Sequence, residues 1–475
     1  MSKRVFSILC LLAIFAMVLA ACATPATPVP TEPPPTKAPE PTKAPEPTAV
    51  PAVPVTLKVW APADDVGRYR VDGPVLAAES VTGFDITVDA MRDPASVGDF
   101  GKRFALAADS GEAPHIVCAG HENIPAWANA GYIVDFDDCK AKFPEFDDVI
   151  DNLWDAPTWQ DKVWAVPQDT EARPMFYNKT KLKELGWSDA DIDGLPDKIM
   201  KGEFTLDDLI ATAKEAIEKG VIEPGNGYWH RPQAGADQFQ YYFSYGGRWY
   251  DQSEDKLVVT KSALRDWYAF QRRIVEEGIT PENYNGTDWS IWHDTVSHGD
   301  ILFWNGGTYQ WADWAINYVA DLGGQDYLFG FVGYALQPSG FKGVPGNTLS
   351  HPMVYMITSP EASGDDYYDA ACALLAKTTT TELNTLHAVG SAHLGVLKSQ
   401  ADDADYSSDR LLSDALYMLD YAEYVPNHAS FGGYLGNLFS NMVKVQNGEV
   451  TPEQAVEDAL AVLEVEIGEF LIVED

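Results

Sequence analysis

Between Val163 and Leu182 the chain reads VWAVPQDTEARPMFYNKTKL, and this stretch constrains the fold more than any other. Val163-Trp164-Ala165-Val166 is a short apolar run, as at the end of a buried strand. Pro167 stops ladder pairing, because it has no N–H to donate. A polar run from Gln168 to Arg173 follows, and Pro174 closes it. Met175-Phe176-Tyr177 is a second apolar strand, and it leads through Asn178 into a helical pattern. A polar passage between two buried strands is what a chain needs to leave one α/β lobe and enter another.

The sequence before the passage has the pattern of such a lobe. VTLKVW, Val55 to Trp60, reads as a strand, with Asp64 and Asp65 in the turn beyond it. A helical stretch toward Glu79 and the strand GFDITVDAM complete a βαβ unit. Phe100 to Ala108 is helical. HIVCA is short and fully apolar, as strands of buried parallel sheets are. His121, Glu122 and Asn123 follow it, and the next helix ends at Gly131, a C′ glycine.

The first residues are not part of this pattern. Lys3 and Arg4, the apolar run Val5 to Leu19, and Leu19-Ala20-Ala21-Cys22 match a bacterial lipoprotein leader with its lipobox. Residues 1–21 are expected to be removed and Cys22 to carry lipid. The apolar run is short for a membrane span. Residues 22–55 repeat Pro, Thr, Ala, Lys and Glu, and are expected to form a polyproline-like tether. At about 3.1 Å per residue, some thirty residues reach about 90 Å from a membrane. The formal net charge of the whole chain is −38, which excludes nucleic acid as a partner and argues against an anionic ligand. Beyond Cys22 the cysteines are Cys118, Cys139 and Cys372. Cys118–Cys139 is the sequence-local disulfide candidate; the odd count leaves one thiol over, and other pairings stay open.

After the passage, Thr205 reads as the N-cap of a helix with Asp207 and Asp208 in its first turn. Asp189, Asp191, Asp193 and Gly194 hold the first, third, fifth and sixth positions of a calcium loop. Met200 stands at the twelfth, where a bidentate Glu is required, so a helix with polar ends is expected instead. His293 and His298 do not have zinc-helix spacing, and no phosphate-binding or nucleophile-elbow motif is present. No cofactor or metal is expected.

Several stretches, taken in order, resemble the bacterial extracellular solute-binding proteins in their carbohydrate-binding branch. They are the strand-final Trp60, TGFDITV, GEAPHIV, ANAGYIVDF, the passage AVPQDTEARPMFYNK, GGRWYDQSEDKLVV, DILFWNGGTYQWADW, PMVYMITSP, HLGVLKSQ and the closing helix from Glu449 to Leu463. His115 stands where the family prefers Asp, and is expected to cap backbone groups in its place. The resemblance implies a two-lobed α/β fold of the periplasmic-binding-protein type, type II, with interlobe crossings at 168–174 and 352–360. It divides the chain into a first lobe at 56–170 and 353–407 and a second at 171–352 and 408–475. It implies a lipid-anchored, monomeric receptor outside the cytoplasmic membrane that takes up a neutral carbohydrate and docks on the permease of an ABC importer.

In open α/β sheets ligands bind beyond the carboxyl ends of the strands, so the site is expected between the lobes. The resemblance points to Asp64, Asp65, His121, Glu122, Glu171, Arg173 and Trp311 as ligand contacts. Arg231, Asp237, Phe239 and Tyr434, with Phe431, follow from the same comparison across loops of variable length. Such residues suit a sugar, whose C–H faces stack on aromatic rings and whose hydroxyls pair with charged groups. Trp311, behind Gly306 and Gly307, is expected to aim its indole into the cleft. The alternative is a secreted glycoside hydrolase. It needs two carboxylates about 5–10 Å apart, to be found among Asp64, Asp65, Glu122 and Glu171.

Overall fold

The computed structural model describes residues 52–63, 69–94 and 97–475. Cys22, the leader, the tether and the Asp64–Asp65 turn lie outside the described residues. Two sheets organise the described residues. The first contains the strands Val53–Pro62, Phe84–Asp93, Ile116–Gly120, Ala165–Pro167 and Met353–Ile357. Its first three strands run parallel, with Val53–Pro62 between the other two. Met353–Ile357 is antiparallel to both of its neighbours and joins Ile116–Gly120 to Ala165–Pro167. The second sheet contains Met175–Asn178, Tyr228–Trp229, Phe303–Asn305 and Val332–Ala335.

Period-two alternation fills the two faces of each sheet with different cores. Val55, Leu57, Val59, Ile116, Cys118, Met353, Tyr355 and Ile357 point to one side of the first sheet. Val117, Ala119, Val354 and Met356 point to the other, against Phe100, Phe104 and Trp127. In the second sheet Met175, Tyr177 and Phe303 face one core. Phe176 and Trp304 face another, with Trp292, Trp311 and Trp314. Both sheets are covered on both faces, which is why their strands read as unbroken apolar runs.

The passage at 168–174 joins Ala165–Pro167 of the first sheet to Met175–Asn178 of the second, as its two prolines suggest. The return differs from expectation. Met353–Ile357 is already a strand of the first sheet, so the second crossing lies before it and not at 352–360. Its last part is the strand Thr348–Ser350, which pairs with Ala422–Tyr424. Ala388, Leu394 and Tyr406 pack in the same core as Met175 and Phe303.

Local expectations fare well where the signal is local. Thr205 and Asp208 form a reciprocal capping box at the start of Leu206–Glu218. His115 Nδ1 accepts the Lys58 N–H at 2.8 Å, a backbone cap. The calcium-like stretch folds as helices Asp189–Asp193 and Leu195–Met200, and its acids are taken by lysines, Lys183 with Asp189 at 2.7 Å and Lys198 with Asp191 at 3.0 Å. The disulfide is not local: Cys139 bonds Cys372, 233 residues away, and Cys118 is buried within its strand. Cys118 sits inside the sheet, while the helix Tyr368–Thr378 carries Cys372 to within 5.5 Å of Cys139, Cα to Cα. Among the described residues no helix is long and apolar enough to cross a membrane.

Candidate ligand-binding site

The carboxyl ends of several strands and the crossings bring their following residues together. His121 and Glu122 follow Ile116–Gly120, Tyr309 follows Phe303–Asn305, and His351 precedes Met353–Ile357. Gly120 leaves room for the Glu122 carboxylate, since a Cβ there would lie 2.2 Å from its Oε2. Gly307 does the same for Tyr309: its Cβ would fall 2.2 Å from the ring. Of the two glycines of the sequence motif, Gly307 therefore admits the Tyr309 ring, while Gly306 makes room for Gln310 beside Phe176 and Trp292.

The first crossing is buried from Gln168 to Arg173 and carries a charged residue at every second position, Asp169, Glu171 and Arg173. Arg173 donates from Nε and Nη2 to Glu171 Oε1, at 3.2 and 2.9 Å, and from Nη1 to Asp237 Oδ1. Arg231 Nη1 reaches both Asp237 oxygens at 3.1 Å and the Tyr309 hydroxyl at 2.8 Å. Its guanidinium lies 4.6 Å from the centre of the Trp289 ring. Asp237 is 5 % exposed; its burial alone would raise its pKa, but the two guanidiniums outweigh it and hold the carboxyl well below the usual range. Glu171 goes the other way: burial pushes it up, only partly offset by Arg173.

His351 ties the first lobe to both crossings. Its backbone N–H donates to Glu171 Oε1 at 3.0 Å, and its Nε2 donates to Glu122 Oε2 at 2.5 Å. Burial would raise Glu122, but His351 beside it pulls the carboxyl down from 4.5 to about 2. Burial lowers and Glu122 raises His351, with a net rise. His121 is packed edge-to-face against His351, 5.6 Å between centres, and donates from Nδ1 to Asn427 Oδ1 at 2.7 Å. Burial lowers His121 to about 4, so it is neutral at ordinary pH. A crevice of about 560 Å³ opens beside Asn427, between Trp159, Arg248, Tyr250 and Tyr424.

Glu122, Glu171, Arg173, Arg231 and Asp237 thus meet in one charged cluster, with His121 at its edge. Four expected residues lie elsewhere. Phe239 and Tyr434 are fully buried in the core behind the second sheet, stacked 5.8 Å apart. Tyr434 donates its hydroxyl to Val258 O at 2.6 Å, and Phe431 packs beside it at 6.1 Å. Trp311 is 1 % exposed among Phe176, Phe329 and Tyr334, so the expectation that its indole stands clear of the core is corrected. Tyr309, two residues earlier in the same motif, is half-buried beside the cluster with its hydroxyl on Arg231. Tyr309, His351 and Asn427 were missed; for Tyr309 the signal was Gly307, and for the other two the sequence carries none.

The cluster pairs nearly every charge it contains. Such a site presents bidentate and hydroxyl hydrogen-bonding groups with little net field, beside an aromatic ring.

A family model described as bacterial extracellular solute-binding protein matches residues 76–381. Among solved structures, the GacH receptor of Streptomyces glaucescens, studied free and with acarbose, aligns with a TM-score of 0.71 at 15% identity, covering 88% of this chain and 100% of that one. The cyclic α-maltosyl-1,6-maltose binding protein of Arthrobacter globiformis aligns at 0.66 and 20% identity, over 87% and 98% of the two chains. The sugar-binding protein MalE of Xanthomonas citri aligns at 0.68 and 16% identity, over 87% and 98%. At these identities the likeness is one of fold.

Proposed function

The chain belongs to the bacterial extracellular solute-binding proteins, and from that membership we propose that it captures a neutral sugar or oligosaccharide and delivers it to the permease of an ABC importer. The observation that carries the proposal is the cluster of Glu122, Glu171, Arg173, Arg231, Asp237 and Tyr309. It draws on both sheets and the crossing between them, and its three carboxylates are matched by two guanidiniums and by His351 on Glu122, which suits an uncharged polyol. Its structural relatives include a receptor complexed with acarbose and two proteins named for sugar binding.

In this reading residues 56–170 with 353–407, and 171–352 with 408–475, act as two lobes that close on the ligand, and Asp64 and Asp65 are among its contacts. The chain works as a monomer, held at the outer face of the membrane by lipid on Cys22, and performs no catalysis. A thermal-shift screen of neutral saccharides tests the central claim: a true ligand at a hundred times its dissociation constant stabilises by about 2.7 kcal/mol. A screen with no shift for any saccharide overturns it. Small-angle scattering with the hit should show a smaller radius of gyration. Cys22→Ala should leave the membrane fraction. Oligosaccharides incubated overnight should be recovered intact; cleavage products would instead favour the hydrolase.

A further inference from the structure

Behind Tyr309 lies a second buried network that the binding site does not use. Asp169, His387 and His393 are each buried and bring ligand-type atoms within 4.8 Å of one another, a set of the kind that holds a metal ion. Arg70 already occupies it. Its Nε donates to Asp169 Oδ2 at 2.9 Å and its Nη2 to His393 Nε2 at 3.2 Å, the atoms a metal would need. His387 Nε2 lies 3.0 Å from the same Asp169 oxygen. The guanidinium is thus the cation of this nest.

The bonds have one consistent direction. Arginine has only donors, so His393 Nε2 accepts and the ring proton sits on Nδ1. Nδ1 donates to Ser391 Oγ at 2.8 Å, and the Ser391 hydroxyl donates to His387 O at 2.6 Å. The imidazole is held at both nitrogens and cannot rotate freely. Between Ser391 and His393, Ala392 adopts φ 55°, a left-handed conformation that costs a side-chain residue about 1 kcal/mol or more. The backbone on the far side is pinned by reciprocal bonds between Thr170 and Leu394, at 3.3 and 2.8 Å. The face of this fixed imidazole lies against Tyr309, 5.3 Å between centres and 12° from parallel.

We propose that His393, oriented by Arg70, Asp169 and Ser391, is a positioning residue that sets the plane of the Tyr309 ring in the binding site. The relay starts on the helix Tyr69–Ala77 packed against the first sheet, passes through the first crossing, and ends on Tyr309 beyond a strand of the second sheet. It therefore links the disposition of the two sheets to the stacking surface offered to ligand. The consequence for affinity rests on the sugar-binding reading above; the positioning itself does not.

The test uses the full chain with 3-fluorotyrosine at position 309 and no ligand. Wild type should give one narrow ¹⁹F resonance. His393→Ala should displace or split it, and His393→Phe, which restores a flat ring, should bring it back toward the wild-type position. Ser391→Ala, which removes one hydroxyl and frees imidazole rotation, should broaden it and serves if His393→Ala does not fold. An unchanged resonance in a folded His393→Ala, or in Ser391→Ala where that variant carries the test, overturns the proposal. Calorimetry with maltotetraose adds the second readout, an expected tenfold loss of affinity in His393→Ala. A displaced resonance in a protein whose wild type binds no saccharide would leave the positioning intact and sink the sugar reading alone.

Discussion

Trp311 and Tyr309 lie two residues apart, yet truncating them should have opposite consequences. Trp311 is 1 % exposed and packs on Phe329 at 4.6 Å between ring centres and on Tyr334 at 5.9 Å. Removing its indole withdraws about 200 Å² of buried apolar surface, worth about 5 kcal/mol at about 25 cal/mol per Å². Relaxation of the neighbours brings this into the range of about 3–5 kcal/mol seen for buried aromatics cut to alanine. With an unfolding entropy of about 2.1 cal/mol/K per residue over about 420 folded residues, Trp311→Ala should lower Tm by about 3–6 °C. Tyr309 is half-buried and outside the apolar cores, its hydroxyl on Arg231 at 2.8 Å. Tyr309→Ala should change Tm by less than Trp311→Ala but weaken saccharide binding by about ten- to a hundredfold, as for a central aromatic contact. The assay is paired, with scanning calorimetry of the free proteins and titration calorimetry with the saccharide found by screening. If Trp311→Ala keeps its Tm and loses binding while Tyr309→Ala binds normally, the assignment of core and cleft in this motif is inverted and the argument fails.

Asp237→Ala should cost about 3–5 kcal/mol in chemical denaturation, because it strands Arg231 in a buried site and leaves Arg173 with Glu171 alone; a variant as stable as wild type would show that these charges reach water. The Glu122–His351 pair should give a bell-shaped dependence of Tm on pH. Glu122 is depressed from 4.5 to about 2, so its contribution is present above pH 4.5 and is lost as pH falls toward 2. His351 is raised above 6.5, so its contribution is full below pH 6.5 and fades as pH rises through its raised value. Neighbouring Glu171, Arg173 and His121 bear on the same pair, and His351→Ala should flatten both limbs; persistence of the bell in that variant counts against this origin. Cys372→Ser opens a loop spanning 233 residues and should destabilise by about 5 kcal/mol on the chain-entropy relation, read by denaturant midpoint; an unmoved midpoint would mean the bond does not form in solution.

Much of the architecture was legible because it depends on short-range rules. Pro167 and Pro174 bound the first crossing at the strand ends where the backbone loses donors. Thr205 and Asp208 mark a helix start three residues apart. Apolar runs such as Ile116–Gly120 announce a sheet covered on both faces. Glu171 and Arg173 were named from their place in that crossing and from the family resemblance, and the structure pairs them with each other inside the protein. The aromatic residues were not legible. Phe239, Tyr434 and Trp311 read like Tyr309 in any window, because core and cleft both select large flat side chains.

What the sequence by itself determined is the set of elements, their order, and the two points of the first crossing, all consequences of backbone donors and hydrophobic period. Tertiary structure alone decided which side of each element meets a partner far away. Arg70 finds His393 across 323 residues, Glu122 finds His351 across 229, and Cys139 passes over Cys118 for Cys372. No local rule encodes those meetings, because they arise only when strands remote in sequence become neighbours in a sheet. The second crossing shows the same division. PMVYMITSP is an apolar strand by every local criterion, and its pairing with Ile116–Gly120 and Ala165–Pro167 shows that it belongs to the first sheet and is not itself the crossing.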